Sequence, residues 1–175
     1  MIYNTRKKYT LPNYRFCSFC ASPLEEKNGN LYCVKCFFIN YRNPRPTVTA
    51  LVLRQGKILL TKRGKTPFKD WWDLPGGFLE SGESPEEAIK RELLEETGLK
   101  VEIKNFFGVY VGTYPSEKEP FSIVTLVYLA ESKAGKLGAE DDVVESRWFP
   151  RKKFPKRIAF DSNNLVIKDF LKIWK

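Results

Sequence analysis

All four cysteines of the chain fall within twenty residues, as Cys17-x2-Cys20, a gap of twelve, and then Cys33-x2-Cys36. No other feature restricts so tightly what a stretch of this chain can fold into. Each C-x2-C loop can turn two thiolates toward one tetrahedral ion. Asn28-Gly29, midway between the pairs, is a type I′ hairpin signal that folds one pair back onto the other. Two disulfides are the competing arrangement. Residues Met1 to Lys8 lack the apolar segment of a signal peptide, and no apolar run approaches the ~20 residues of a membrane helix. The expectation is a soluble cytoplasmic protein with reduced thiols, in which Cys17, Cys20, Cys33 and Cys36 hold a structural Zn2+. Such a site is closed, so the metal folds the segment and does no chemistry.

At 175 residues in all, the chain has room for one further domain. Thirteen Phe, eight Tyr and four Trp supply a core and exclude a disordered or collagen-like polymer. The absence of histidine excludes a catalytic His triad and every His-liganded metal site. Ile39 to Pro46 reads as a linker, because its prolines disfavour helix. Thr47 to Leu53 and Lys57 to Thr61 are apolar and β-branched on either side of Gln55-Gly56, a hairpin pattern. Val101–Val111, Phe121–Leu129 and Val143–Phe149 read as further strands. Ser84 as N-cap, Pro85 at the first helical position and Glu87 completing a capping box open a helix that Gly98 stops, over Pro85–Thr97. A final amphipathic helix starts at Asp161 or Ser162 and runs through Leu165, Ile167, Phe170, Leu171 and Trp174. Strands with two widely separated helices predict an α/β sandwich over residues 44–175, after an N-terminal module of residues 1–43.

Charge is unevenly spread. The chain carries +9 overall, yet residues 77 to 99 hold seven glutamates against Lys90 and Arg91. Glu86–Lys90 and Glu87–Arg91 have the spacing of ordinary surface ion pairs. Glu92, Glu95 and Glu96 instead share one side of the helix, where the like-charge Glu92–Glu96 pair costs roughly 0.2–0.5 kcal/mol. Ile89, Leu93 and Leu94 are expected to bury the helix and hold these acids at the edge of a packed wall. Three convergent carboxylates without nitrogen or sulfur ligands favour a hard ion, Mg2+ or Mn2+. Gly76-Gly77 lets backbone approach a ligand closely, and a glycine carbonyl there can supply one more oxygen.

Gly77-x5-Glu83-x7-Arg91-Glu92-Leu93-x-Glu95-Glu96-x-Gly98-Leu99 matches the complete Nudix box. Residues 47–175 resemble the Nudix hydrolase family, and the preceding segment is similar to zinc ribbons. The resemblance implies an α/β/α sandwich with a mixed sheet, in which the box forms a loop, a helix and a loop. It implies that Glu92, Glu95 and Glu96, with the Gly76 carbonyl, are ligands of a divalent cation. Glu92 would also be the general base, Arg91 would brace the glutamates, and Glu83 would be an outer carboxylate. Family members hydrolyse the pyrophosphate of a nucleoside diphosphate linked to another group. That chemistry agrees with an all-carboxylate site, because bound metal neutralises the polyanion, activates water and places it in line with phosphorus.

Some Nudix enzymes place the catalytic base on a later loop. In the acidic run Glu140-Asp141-Asp142 and Glu145, the first choices are Glu145 and Glu140. A zinc ribbon before a Nudix domain resembles the layout of NADH pyrophosphatases, but Tyr110 to Phe121 lacks their Ser-Gln-Pro-Trp-rich motif. The implied substrate is ADP-ribose-like or NADH-like, with Trp72, Tyr114, Phe121 and Phe160 as candidates to stack on a base. An RNA-directed alternative rests on the zinc ribbon and two basic segments: Arg6, Lys7, Lys8 and Arg15, then Arg151-Lys152-Lys153 through Lys156-Arg157. It would act on capped or 5′ RNA ends, or as a nucleic-acid-binding regulator. No membrane partner is expected, and Nudix enzymes with this layout often form homodimers.

Overall fold

In a computed structural model, residues 14–41, 43–116 and 120–174 are described; the basic residues Arg6, Lys7 and Lys8 lie outside them. The chain divides into two compact units, Thr5–Pro44 and a larger one from Arg45 onward.

The smaller unit is a three-stranded antiparallel sheet. β1 (Leu24–Lys27) and β2 (Asn30–Cys33) form a hairpin whose turn residues, Asn28 and Gly29, both take positive φ, as the two-residue turn requires. β3 (Ile39–Asn40) pairs with β2, placing Ile39 opposite Tyr32. The segment expected as a linker over Ile39 to Pro46 is therefore strand at both ends, since Arg45 and Pro46 already belong to β4 (Arg45–Arg54). Proline is tolerated there because it stands at the beginning of a strand, while its carbonyl still accepts a hydrogen bond from the Leu79 N–H.

The larger unit is built on a six-stranded mixed sheet. After β4 come β5 (Lys57–Arg63), the short β6 (Trp72–Asp73), α1 (Pro85–Thr97), β7 (Lys100–Tyr114), β8 (Phe121–Ala134), β9 (Val143–Pro150) and α2 (Asp161–Ile173). The order is β6-β5-β4-β8-β7, with β9 paired to β5. β4 and β8 run parallel from Arg45↔Ile123 to Leu53↔Glu131, and the other pairings are antiparallel.

Strand alternation divides the core in two. Val48, Ala50 and Val52 of β4 pack with Leu59, Ala88, Ile89 and Leu93, on the α1 face. Leu51 packs on the other face with Ile58, Leu60, Val166, Ile167 and Phe170, beneath α2. This is the expected α/β/α sandwich. Among the described residues no helix is long and apolar enough to cross a membrane.

α1 departs from expectation at one position. Leu94 is 46% exposed, whereas Glu96 is only 8% exposed. With 3.6 residues per turn, Glu96 lies seven residues after Ile89 and three after Leu93, back on the buried stripe, while Leu94 is rotated off it. The helix thus drives a carboxylate into the protein wall.

The helix start is as anticipated. The Ser84 hydroxyl accepts from the Glu87 N–H, and the Glu87 carboxylate accepts from the Ser84 N–H. Ser84→Ala removes one half of this reciprocal cap and is expected to lower unfolding free energy by about 1 kcal/mol in urea titration, without changing the slope of the transition.

Candidate active site

β4 is hydrogen-bonded to β5 only beside their turn, at Leu53↔Ile58 and Arg54↔Lys57. Toward its N-terminal end, its free edge takes up the loop before α1 instead. The Val48 N–H donates to the Gly77 carbonyl (2.8 Å) and the Ala50 N–H to the Pro75 carbonyl (3.0 Å). This exchange of partners seats Gly76 and Gly77 against the sheet and leaves a cleft of about 330 Å³.

Backbone demands glycine at Gly76, and the placement of the Glu92 carboxylate favours it at Gly77. A Cβ on Gly76, whose φ is +144°, would lie 2.2 Å from the Val48 carbonyl oxygen, and one on Gly77 would lie 2.2 Å from Glu92 Oε1. The Gly76 N–H donates to Glu96 Oε2 (3.2 Å), so the loop reaches the buried carboxylate directly.

Arg91 organises the acids. Its Nε and Nη2 grip the two oxygens of Glu83 at 2.8 and 2.9 Å, a bidentate pair. Its Nη1 reaches Glu92 Oε1 (2.9 Å) and Glu95 Oε2 (3.2 Å), and Nη2 also donates to the Phe78 carbonyl (3.3 Å). Glu83, first among these partners, drives the Arg91 pKa upward and is itself held below the usual carboxylate range by Arg91. Glu87, the expected partner of Arg91, is occupied by the cap, its carboxylate accepting from the Ser84 hydroxyl at 2.7 Å.

Glu92, Glu96 and Gly76 line the cleft. Glu95 is half exposed and joins the cluster through Arg91. Burial lifts the Glu96 carboxyl well above the ordinary range; Glu92, Asp73 and Asp142 add to this, and the Gly76 N–H offsets only part of it. Glu92 is also raised by burial, against the opposing Arg91, with Glu95 and Asp142 adding repulsion. Mutually repelling acids held this close are a site in deficit of positive charge, which suits a hard divalent cation.

The later acidic run divides. Asp141 and Asp142 line the cleft, and the Asp142 carbonyl is pinned by the Gly64 N–H at 2.7 Å. Glu140 and Glu145, the two first choices from sequence, are not on the cleft wall. The Glu140 N–H closes the end of α1 on the Glu96 carbonyl (3.1 Å). Glu145 lies in β9 opposite Lys62, with its carboxylate against Arg147. Within an acidic run, sequence alone cannot decide which residue the bend aims inward.

Of the aromatic candidates, Tyr114 and Phe160 line the cleft and stack on each other, with ring centroids 5.4 Å apart. Phe121 stacks behind Tyr114 at 5.1 Å. Trp72 packs edge-on against Phe149 in the core, away from the cleft.

Sequence reasoning missed a buried polar group at this site. Asp73 Oδ1 accepts from the Leu74 N–H (2.9 Å) and Asn163 Nδ2 (2.6 Å), and Oδ2 accepts from Arg63 Nη1 (3.3 Å). These bonds tie β6, β5 and α2 together beside the glycine loop. The available signal was a lone acid between Trp71-Trp72 and Leu74-Pro75, an apolar run that has no place for an unpaired charge. Thr47, Thr49 and Thr125, also on the cleft wall, carried no signal, because a threonine in a strand reads simply as strand.

In the smaller unit the four cysteine sulfurs lie within 4.8 Å of one another. Cys17 Sγ is 3.6 Å from Cys36 Sγ, and Cys20 Sγ is 3.5 Å from Cys33 Sγ. A tetrahedron with metal–sulfur bonds of about 2.3 Å has edges of about 3.8 Å, so the set fits a thiophilic ion. All four are free of disulfides. Hydrogen bonds from Ser22 bring the Cys20 thiol down to about 6, whereas, against the pull of the Phe38 backbone, burial and the neighbouring sulfurs push Cys36 up to about 12.

Comparison with known proteins agrees with this geometry. A family model described as NUDIX domain matches residues 43–169. An ADP-ribose pyrophosphatase of Methanocaldococcus jannaschii is 39% identical over 135 residues, covering 77% of each chain. A NAD-capped RNA hydrolase, NudC, of Haemophilus influenzae is 27% identical over 144 residues, covering 79% of this chain and 52% of its own. The chain thus spans about half the length of its NudC relatives. A NUDIX hydrolase crystal structure from Nitrosomonas europaea superposes with a TM-score of 0.77 at 29% identity, covering 91% of both chains.

Burial pushes the Asp73 carboxyl up to about 7, against the pull of Arg63 and Asn163. The native state therefore keeps a proton there that the unfolded chain, with a value of 3.8, has released. Stability contributed at Asp73 is greatest below about 4 and falls as pH rises through about 7. The denaturation midpoint of the wild type relative to that of Asp73→Asn should fall as pH rises from about 4 to about 7; a pH-independent difference would contradict this assignment.

Proposed function

This chain belongs to the Nudix hydrolase family, and from that premise we propose that its cleft cleaves the pyrophosphate bond of a nucleoside diphosphate derivative, with ADP-ribose as the first choice of substrate. The observation that carries the reading is the Arg91-braced cluster of Glu83, Glu92 and Glu95 beside buried Glu96. The substrate choice is supported by the Methanocaldococcus jannaschii relative, which matches most of the chain.

Glu92, Glu95 and Glu96 would hold Mg2+ or Mn2+, with the Gly76 carbonyl as a further oxygen ligand. Bound metal supplies charge neutralisation of the diphosphate and activation of water. The protein's own part is positioning. Arg91 holds Glu92 by Oε1, which leaves Oε2 to accept a proton from the attacking water, and the raised pKa of Glu92 suits a general base. The Gly76 N–H keeps Glu96 turned toward the same space. Of the later acids we assign the supporting role to Asp142 in place of Glu140 or Glu145, because it faces Glu92 and Glu96 electrostatically. Tyr114 and Phe160 offer the base a stacked aromatic wall, and Thr47, Thr49 and Thr125 offer neutral hydroxyls to a sugar.

In the smaller unit, Cys17, Cys20, Cys33 and Cys36 would hold Zn2+ as a folding element, which fits four reduced thiols and a cytoplasmic setting. A second reading, hydrolysis at a nucleotide-capped RNA end, is favoured by the NudC relatives.

Glu96→Gln removes a ligand charge and is expected to lower turnover of ADP-ribose by at least about a hundredfold at saturating Mg2+, with little change in thermal stability. Asp142→Asn should lower it further than Glu140→Gln or Glu145→Gln, measured as kcat with products identified by mass. The same panel, run with NADH, nucleotide sugars and NAD-capped RNA, ranks the substrates. Wild-type rates for Glu96→Gln would refute the metal assignment. Cys33→Ser should release zinc, read by atomic absorption, and leave the chemical step unaltered.

A further inference from the structure

The two cysteine loops of the smaller unit are built alike. The Ala21 N–H donates to the Cys17 carbonyl, and the Phe37 N–H donates to the Cys33 carbonyl, both at 2.9 Å. The residue after each second cysteine takes left-handed backbone, Ala21 at φ 56° and Phe37 at φ 62°. That region disfavours any residue with a Cβ and is worst suited to a bulky one. Phe37 nevertheless occupies it, and its side chain is no part of a core, being 70% exposed. Phe19, inside the first loop, is 79% exposed. A large aromatic that adds nothing to the core and sits on unfavourable backbone points to something outside the fold.

Its neighbours indicate what. The Phe37 ring lies 6.3 Å from the Tyr32 ring, and Lys27 Nζ stands 5.3 Å over the centroid of Tyr32. Ile39 and Glu25 flank Tyr32 across the strands. Arg15, Lys27 and Lys35 are all exposed. Over residues 5–44 seven Lys or Arg, of which Arg15, Lys27 and Lys35 lie among the described residues, stand against Glu25 and Glu26, and the unit stays net positive even with a Zn2+ held by four thiolates. Exposed rings interleaved with cations on a cationic unit match unpaired bases on a phosphate backbone: each base has a face to stack, and each phosphate a charge to meet. A protein partner drawn by the rings alone would gain nothing from the surplus positive charge.

We infer that the zinc-ribbon unit binds single-stranded nucleic acid through Phe37, Tyr32 and Lys27, with Phe19 as a further stacking ring. The inference extends the RNA-directed reading and is independent of which small pyrophosphate the cleft cleaves. It makes the ribbon a holding site for a transcript.

The test uses the full-length protein and a short fluorescein-labelled single-stranded RNA of mixed sequence, with binding read by anisotropy. Phe37→Gly suits the left-handed backbone, so the ribbon should keep its zinc and its thermal stability. The expected result is affinity for the single strand that falls steeply between about 50 and about 200 mM salt and exceeds that for a duplex of the same sequence. Phe37→Gly should weaken it about tenfold, with ADP-ribose turnover unchanged. Equal RNA affinity in wild type and Phe37→Gly, or no binding at low salt, would overturn the inference. So would a variant that loses self-association in sedimentation while RNA binding stays the same, because the face would then be a protein interface. Loss of ADP-ribose hydrolysis in the wild type would count against the pyrophosphohydrolase reading alone.

Discussion

One guanidinium organises the acidic cleft. Arg91 reaches Glu83 with two nitrogens and spends its remaining donors on Glu92, Glu95 and the Phe78 carbonyl. Without it, three glutamates from a loop and a helix would repel one another toward solvent. With it, Glu83 is held by both oxygens and Glu92 by one, and Glu92 stays on the cleft wall beside Glu96, where the repulsion that remains suits a cation. The arginine is itself fixed from both sides, by the loop that carries Glu83 and by its own helix, so its planar fork orients as well as neutralises.

The glycine loop supplies the other half of the constraint. β4 is paired with β5 for only a short distance, and its open edge accepts the main chain of Pro75 to Gly77. A side chain at Gly76 or Gly77 would collide with the Val48 carbonyl or with the Glu92 carboxylate. Sheet, loop and helix therefore meet at distances that only bare backbone permits, and the Gly76 N–H is delivered to buried Glu96 as a result. Asp73 secures the same junction from beneath by joining β6 to β5 and α2. The cleft is a seam in the sheet, and its chemistry sits where the hydrogen-bond ladder changes hands.

The smaller unit follows a different economy. It has few buried apolar side chains, Leu31 among them, and its hairpin and paired loops converge on four sulfurs. A unit of that size buries little apolar surface, and four sulfurs at metal-binding distance stand where a core would otherwise be. Its aromatic residues are thereby released from packing and can stand outward.

Local signals in the sequence determined every element whose cause is local. The capping box and Gly98 bound α1, Asn28-Gly29 and Gln55-Gly56 turn the hairpins, and the spacing of glycine, glutamate and arginine identifies the acidic helix and its family. These depend on hydrogen bonds and dihedral preferences within a few residues. What only the tertiary structure decided involves residues far apart in the chain. It buried Glu96 while exposing Leu94, turned Arg91 from Glu87 to Glu83, aimed Asp141 and Asp142 into the cleft past Glu140 and Glu145, and brought Asp73 to Asn163. Each of these outcomes is a choice among chemically similar side chains, and the choice is made by which one the packed sheet and helices face, a geometry that no short stretch of sequence contains.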